Sequence, residues 1–297
     1  MVSNSVLMAL IEVSALSFIL PIALVILWKI RYKTSIIPSL AGALVFIVFG
    51  VLLKTIPNVL VTVAGGPVLR IIQENIWVYA IYAGLMAGIF EEMGRYIAFK
   101  VFLSKYEYRE NVIAYGFGHG GIECITVLGM AMIQNFMYAQ LINAGQVEKI
   151  YSSITDQNSI NTLKEFIESI LDITVADCVW AGIERISALI LQVSLSVFVF
   201  QAVRVHEKKY MLAVAIALHT FVDIFAVLYQ QGIASVAVTE IIIMVYAVIV
   251  AVFARRIYAS LPGKKLKKDV NSKNWEYAKM RYSGYSNDSD GEENEEQ

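Results

Sequence analysis

Charge is scarce in this sequence, and so are the residues that cross-link or ligate. Asp, Glu, Lys and Arg make up 16% of the 297 residues and the formal net charge is −1, so bulk charge points to no nucleic-acid partner. Two cysteines, Cys124 and Cys178, both fall inside apolar runs and exclude a disulfide framework. Only three histidines occur, and none sits in an H-E-x-x-H pattern, which excludes the zincin arrangement. What fills the space instead is apolar: 58% of the residues are hydrophobic, and the mean hydropathy is +0.62, well beyond a soluble domain.

A membrane span needs about 20 apolar residues at 1.5 Å rise each. The sequence offers seven such runs, at 5–28, 35–56, 76–102, 111–139, 173–202, 211–230 and 233–254. The first has no basic segment before it and outlasts a signal-peptide core, so it reads as a retained helix. Lys and Arg collect after the first, third, fifth and seventh runs: Lys29, Arg31 and Lys33; Lys105 and Arg109; Arg204, Lys208 and Lys209; Arg255 and Arg256 followed by "KKLKK". The alternate side holds Lys54, Arg70, Lys149 and Lys164. The positive-inside rule then puts the N-terminus outside and the C-terminus in the cytoplasm. Residues 1–258 read as one transmembrane domain, and 259–297, ending in "GEENEEQ", as a disordered cytoplasmic tail. No convincing internal repeat is present, which weighs against an inverted-repeat transporter.

Against this background, acids and histidines inside spans stand out, because a charge at mid-bilayer costs at least about 2.5–3.5 kcal/mol and usually faces protein or water. Glu12 and Glu240 are lone acids without a visible partner, best read as packing or snorkelling residues. The run "FEEMGRY" differs. On a helix Glu91 and Arg95 are spaced i,i+4, and Glu92 and Arg95 i,i+3, so either acid can meet the guanidinium. One ion pair leaves the second glutamate over, and two carboxylates this close in a low dielectric do not both ionise readily unless a cation or metal is near. Gly84 and Gly88 lie on the same face, where they let another helix approach.

In "AYGFGHGGIECI" four glycines surround His119, with Glu123 at i+4; in "ALHTFVDIFA" His219 has Asp223 at i+4. Each glycine costs about 1 kcal/mol of helix propensity relative to alanine, which a chain accepts where backbone or substrate must come close. His206, in the basic "VRVHEKK" turn, reads as a solvated surface residue. Counted from the basic ends, His119 and His219 lie about 14 Å deep and Glu92 about 20 Å, so the three motifs can meet at one level. The short hairpin between the third and fourth runs makes them neighbours by expectation. Glu184 and Arg185 lie nearer the outer half as a pair, whereas Asp177 and Gln192 take no role at this stage.

Acids and histidines on three helices, shielded yet reachable by water, suit hydrolysis of an amide. Glu91 or Glu92 would take a proton from water, while the histidines either bind a metal or act as proton partner and oxyanion donors. Zinc would draw on His119 and His219, with Glu92, Glu123 or Asp223 as a third ligand; a metal-free route is equally open. A proton-coupled transporter or channel, or a non-catalytic membrane scaffold, are the competing classes. A b-type haem on the two histidines would leave the double glutamate unexplained.

The motifs "FEEMGRY", "GFGHGGIE" and "HTFVD", in that order on separate spans, resemble the YhfC family of intramembrane metalloproteases. More broadly they resemble the superfamily of CAAX prenyl endopeptidases, bacteriocin-processing membrane enzymes and PrsW proteases. The resemblance implies that Glu91 is the base, that Glu92 and Arg95 complete its motif, that His119 activates water, and that His219 with Asp223 stabilises an oxyanion or binds metal. The wider family often has E-E-x-x-x-R where Arg95 comes one residue earlier, and an asparagine where Asp223 stands. Aspartate is the better metal ligand and, ionised, cannot donate to an oxyanion, which leans the reading toward metal. The expectation is an all-α, seven-span bundle in the cell membrane of a bacterium, acting on a membrane-associated peptide or protein reached from the cytoplasmic leaflet. Oligomeric state and substrate identity are not legible.

Overall fold

A computed structural model describes residues 1–263. The described residues are helical with no strands, and seven helices are long and apolar enough to cross a membrane: Asn4–Tyr32 (α1), Ile37–Ala64 (α2), Ile76–Phe102 (α3), Arg109–Asn143 (α4), Val175–Arg204 (α5), Met211–Gln230 (α6) and Val236–Ser260 (α7). In hydrocarbon each backbone N–H and C=O must be satisfied within its own segment, so an apolar run of this length has little choice but helix. Helix starts are marked by polar caps. Asn75 Oδ1 accepts from Trp77 N and Val78 N at 3.0 and 3.2 Å at the head of α3. Thr174 and Asp177 form a reciprocal capping box on α5, which gives Asp177 a structural role.

The fifth helix is the core of the bundle: 72% of its apolar window is buried inside the protein, against 17–33% for the other six. The outward faces of those six carry exposed Leu, Ile and Val, as a lipid-facing surface requires. Packing partners do not follow chain order. Helix α3 runs along α6, and α4 lies against α2, α5 and α1. The third and fourth spans are joined by a short hairpin and meet through side chains, with the Phe99 and Tyr115 ring centroids 4.5 Å apart and Glu91 3.1 Å from His119, although the main packing of α3 is with α6 and that of α4 with α2 and α5.

Glycines decide these approaches. A Cβ on Gly84 would lie 2.8 Å from Thr220 O, and one on Gly88 2.6 Å from Thr220 Oγ1, so both notches seat α6 on α3. On α4, a Cβ at Gly118 would collide with the Ser39 carbonyl of α2, where Ser39 Oγ also donates to Ala114 O at 2.8 Å. Three stretches, Phe46–Leu53, Ala98–Phe102 and Cys124–Gly129, are π-helical, a local widening that often accompanies functional sites.

Helix α7 ends at Ser260, and residues 261–263 stay with the fold: Leu261 is buried and Arg109 N donates to Pro262 O at 2.8 Å. The remainder of the expected tail, 264–297, lies outside the described residues.

Candidate active site

Five helices contribute to one buried polar cluster. From α3 come Glu91, Glu92 and Arg95, all of them buried, with Arg95 and Glu92 fully so. The guanidinium resolves the choice between the two glutamates: Arg95 Nη1 donates to both oxygens of Glu92, at 3.0 and 2.8 Å. Glu92 also faces His219 Nδ1 at 2.7 Å. It therefore serves as a fixed anchor between a cation and an imidazole.

Glu91 is left for other partners. Its Oε2 lies 3.1 Å from His119 Nε2, accepts from Gln192 Nε2 at 3.2 Å and is 3.8 Å from His219 Nε2. Its Oε1 is 3.9 Å from Lys54 Nζ. The His119 ring is gripped by aromatics, with Phe46 edge-on at 5.5 Å and Tyr115 stacked at 6.0 Å, and its Nδ1 is buried with no hydrogen-bond partner among the described residues.

The i,i+4 pairs read from the sequence are only half of the arrangement. His219 Nε2 and Asp223 Oδ2 are 3.8 Å apart, too long for a hydrogen bond, and Asp223 is the more open group, with 30% side-chain exposure. Glu123 turns to α5 instead: its Oε2 accepts from Gln192 Nε2 at 2.8 Å and its Oε1 from Arg185 Nη1 at 3.2 Å. Arg185 is held in turn by an ion pair with Glu184.

Three participants were not legible as such. Gln192 is the hub: besides donating to Glu91 and Glu123 it accepts a hydrogen bond from Arg95 Nη2 at its Oε1. Lys54, counted from sequence among the connecting residues, sits within the continuous helix α2 and points at Glu91. Arg185 joins the cluster and is more than a separate helix-helix pair. Glu12 and His206 are exposed, as expected of groups outside a site, whereas Glu240 is buried with one carboxylate oxygen unpartnered among the described residues.

The donor set suits a metal. One potential ligand atom each from Glu91, His119 and Glu123 lies within 4.8 Å of the others, and imidazole plus carboxylates is a set that zinc accepts. This grouping differs from the pair His119 and His219 anticipated from sequence: His219 stands beside it, with its Nε2 3.8 Å from the same Glu91 oxygen that His119 approaches.

A seven-span helical bundle with a buried Glu/His cluster defines a multi-pass membrane protein with a metal-compatible site. The comparisons with known proteins narrow this further. A sequence model of the YhfC intramembrane metalloprotease family matches residues 16–243, and the chain belongs to that family. It is 36% identical over 248 residues to the uncharacterized membrane protein YhfC of Bacillus subtilis (strain 168), covering 83% of this chain and 94% of that protein. No solved structure matches.

Proposed function

We propose that this protein is an intramembrane metallopeptidase that hydrolyses a membrane-associated peptide or protein in the plasma membrane of a bacterium. The observation that carries the reading is the convergence of Glu91, His119 and Glu123 within 4.8 Å, flanked by an imidazole that an ion-paired glutamate holds in place. Glu91, His119 and Glu123 would hold the ion, zinc being the first candidate. Bound there, it would activate a water and polarise a peptide carbonyl.

The protein's own groups supply the rest. Arg95 locks Glu92, and Glu92 holds the Nδ1 side of His219, so that Nε2 is presented toward Glu91 and Asp223. A carboxylate behind an imidazole fixes its tautomer and orientation, which makes His219 Nε2 the atom placed to take and return a proton. Gln192 and Arg185 hold Glu123 in position from α5. Asp223, the most open carboxylate of the set, faces the side from which a peptide would come. The transmembrane bundle, which α7 carries to Ser260, constitutes the acting unit, with the N-terminus outside and the substrate reached from the cytoplasmic leaflet.

Elemental mass spectrometry on detergent-purified protein tests the reading. We expect about one zinc per chain in the wild type, lost in a His119→Ala/Glu123→Gln double variant that still elutes as folded protein. Absence of stoichiometric metal from protein purified without chelator would overturn the metal-dependent mechanism.

A further inference from the structure

An apolar cavity of about 450 Å³ opens between α1, α4, α5 and α7. Leu24 of α1, Ile113 and Phe117 of α4, Val193 of α5 and Ala251 of α7 are among its walls. Its one uncharged polar side chain apart from Tyr258, Ser194, spends its hydroxyl on Ile190 O at 2.7 Å, so it asks nothing of an occupant. The wall behind it is tight. A Cβ on Gly116 would lie 2.7 Å from Val193 Cα, and one on Gly120 2.8 Å from Leu189 Cδ1. None of the residues of the acid cluster is among those that line the cavity.

One end of the chamber is different. Arg255 is the only charged residue lining it; it is exposed and has no ion pair or hydrogen bond among the described residues. The neighbouring cations are committed. Arg109 sits 4.9 Å over the Tyr258 ring and reaches the Tyr258 and Ala259 carbonyls, and Arg256 lies over Phe253. Trp28 and Tyr32 pack as a tilted ring pair at this same end, and Trp28 Nε1 donates to Glu110 O at 2.9 Å, the amphipathic belt that marks headgroup level. An apolar slot between spans with one uncommitted guanidinium at its mouth has the charge pattern of an acyl chain joined to an anionic phosphate.

We propose that this chamber binds a membrane phospholipid with an anionic headgroup, its acyl chain between α1, α4, α5 and α7 and its phosphate on Arg255. The chain's own C-terminal segment is a poor occupant, since "KKLKKDVNSKNW" after Gly263 contains no apolar run to fill such a slot.

The test uses the full-length protein, delipidated in mild detergent and offered phosphatidylglycerol and phosphatidylcholine of identical acyl chains. Bound lipid is counted by native mass spectrometry. Wild type is expected to retain phosphatidylglycerol over phosphatidylcholine by about fivefold, the effect of one cation near the headgroup. Arg255→Gln should erase that preference while neutral binding persists. Ala251→Trp and, independently, Leu24→Trp should fill the slot and displace both lipids, each judged only if the variant remains monodisperse. Equal retention of the two lipids by wild type, an unchanged preference in Arg255→Gln, or full retention in both filled variants would overturn the proposal. So would a wild-type dimer that Ala251→Trp dissociates, since a second copy would then be the occupant.

Discussion

Arg95→Met should be among the most damaging single substitutions in this protein, and the reason is the glutamate it leaves behind. Arg95 is fully buried and makes two hydrogen bonds to Glu92 and one to Gln192. Methionine fills most of the stem volume, so the loss is mainly electrostatic. Breaking a buried ion pair by removing one partner costs about 3–5 kcal/mol, and the stranded Gln192 oxygen adds about 1 kcal/mol. The sum, about 4–6 kcal/mol, is a large share of the roughly 5–15 kcal/mol that holds a domain together. Neutralising the stranded acid should recover much of it: Arg95→Met/Glu92→Gln is expected to be more stable than Arg95→Met, with a coupling of about 2 kcal/mol or more across the cycle. The assay is reversible unfolding in mixed micelles, followed by far-UV circular dichroism as denaturing detergent is increased, on the wild type, both single variants and the double. A wild-type midpoint for Arg95→Met would refute the reasoning, as would a double variant that loses the sum of the two singles, because Glu92 would then not depend on Arg95.

Other consequences follow from the same geometry. Gln192→Leu keeps the volume but removes the hub between Glu91 and Glu123; metal affinity measured by chelator competition should fall about 10–100-fold, the usual effect of losing a partner behind the ligands. Asp223→Asn should leave metal stoichiometry unchanged while Glu123→Gln lowers it, and the opposite pattern would move the ion to the α6 side. Gly118→Ala drives a methyl into the Ser39 carbonyl, a backbone atom that cannot swing aside, and should cost about 1–3 kcal/mol in the unfolding assay. Gly182→Ala meets nothing nearer than Val13 Cγ1 at 3.8 Å and should be neutral or stabilising by up to about 1 kcal/mol through helix propensity.

The sequence alone determined the membrane class and the seven helices, and it singled out the acids and histidines that the structure gathers into one cluster. A run of about 20 apolar residues in hydrocarbon must satisfy its own backbone, a constraint local enough to be read from composition; the seven anticipated runs coincide with α1 to α7 to within a few residues, save that α2 continues through Lys54 to Ala64. The i,i+3 spacing of Glu92 and Arg95 was legible for the same reason, since one helical turn fixes it. Helical spacing also put Glu123 on the face of His119, yet the two do not bond to each other: His119 reaches Glu91 and Glu123 reaches Gln192 and Arg185. Only the tertiary structure could decide that, because the contacts of Gln192 join residues 69 to 101 positions apart and nothing near Gln192 in the chain marks it. Neighbourhood was likewise a tertiary matter. Chain connection put the third and fourth spans side by side, and they do meet at Glu91 and His119 and at Phe99 and Tyr115, but glycine notches gave the main packing of α3 to α6 and that of α4 to α2 and α5, since between helices in lipid the depth of approach outweighs the order in which the chain supplies them.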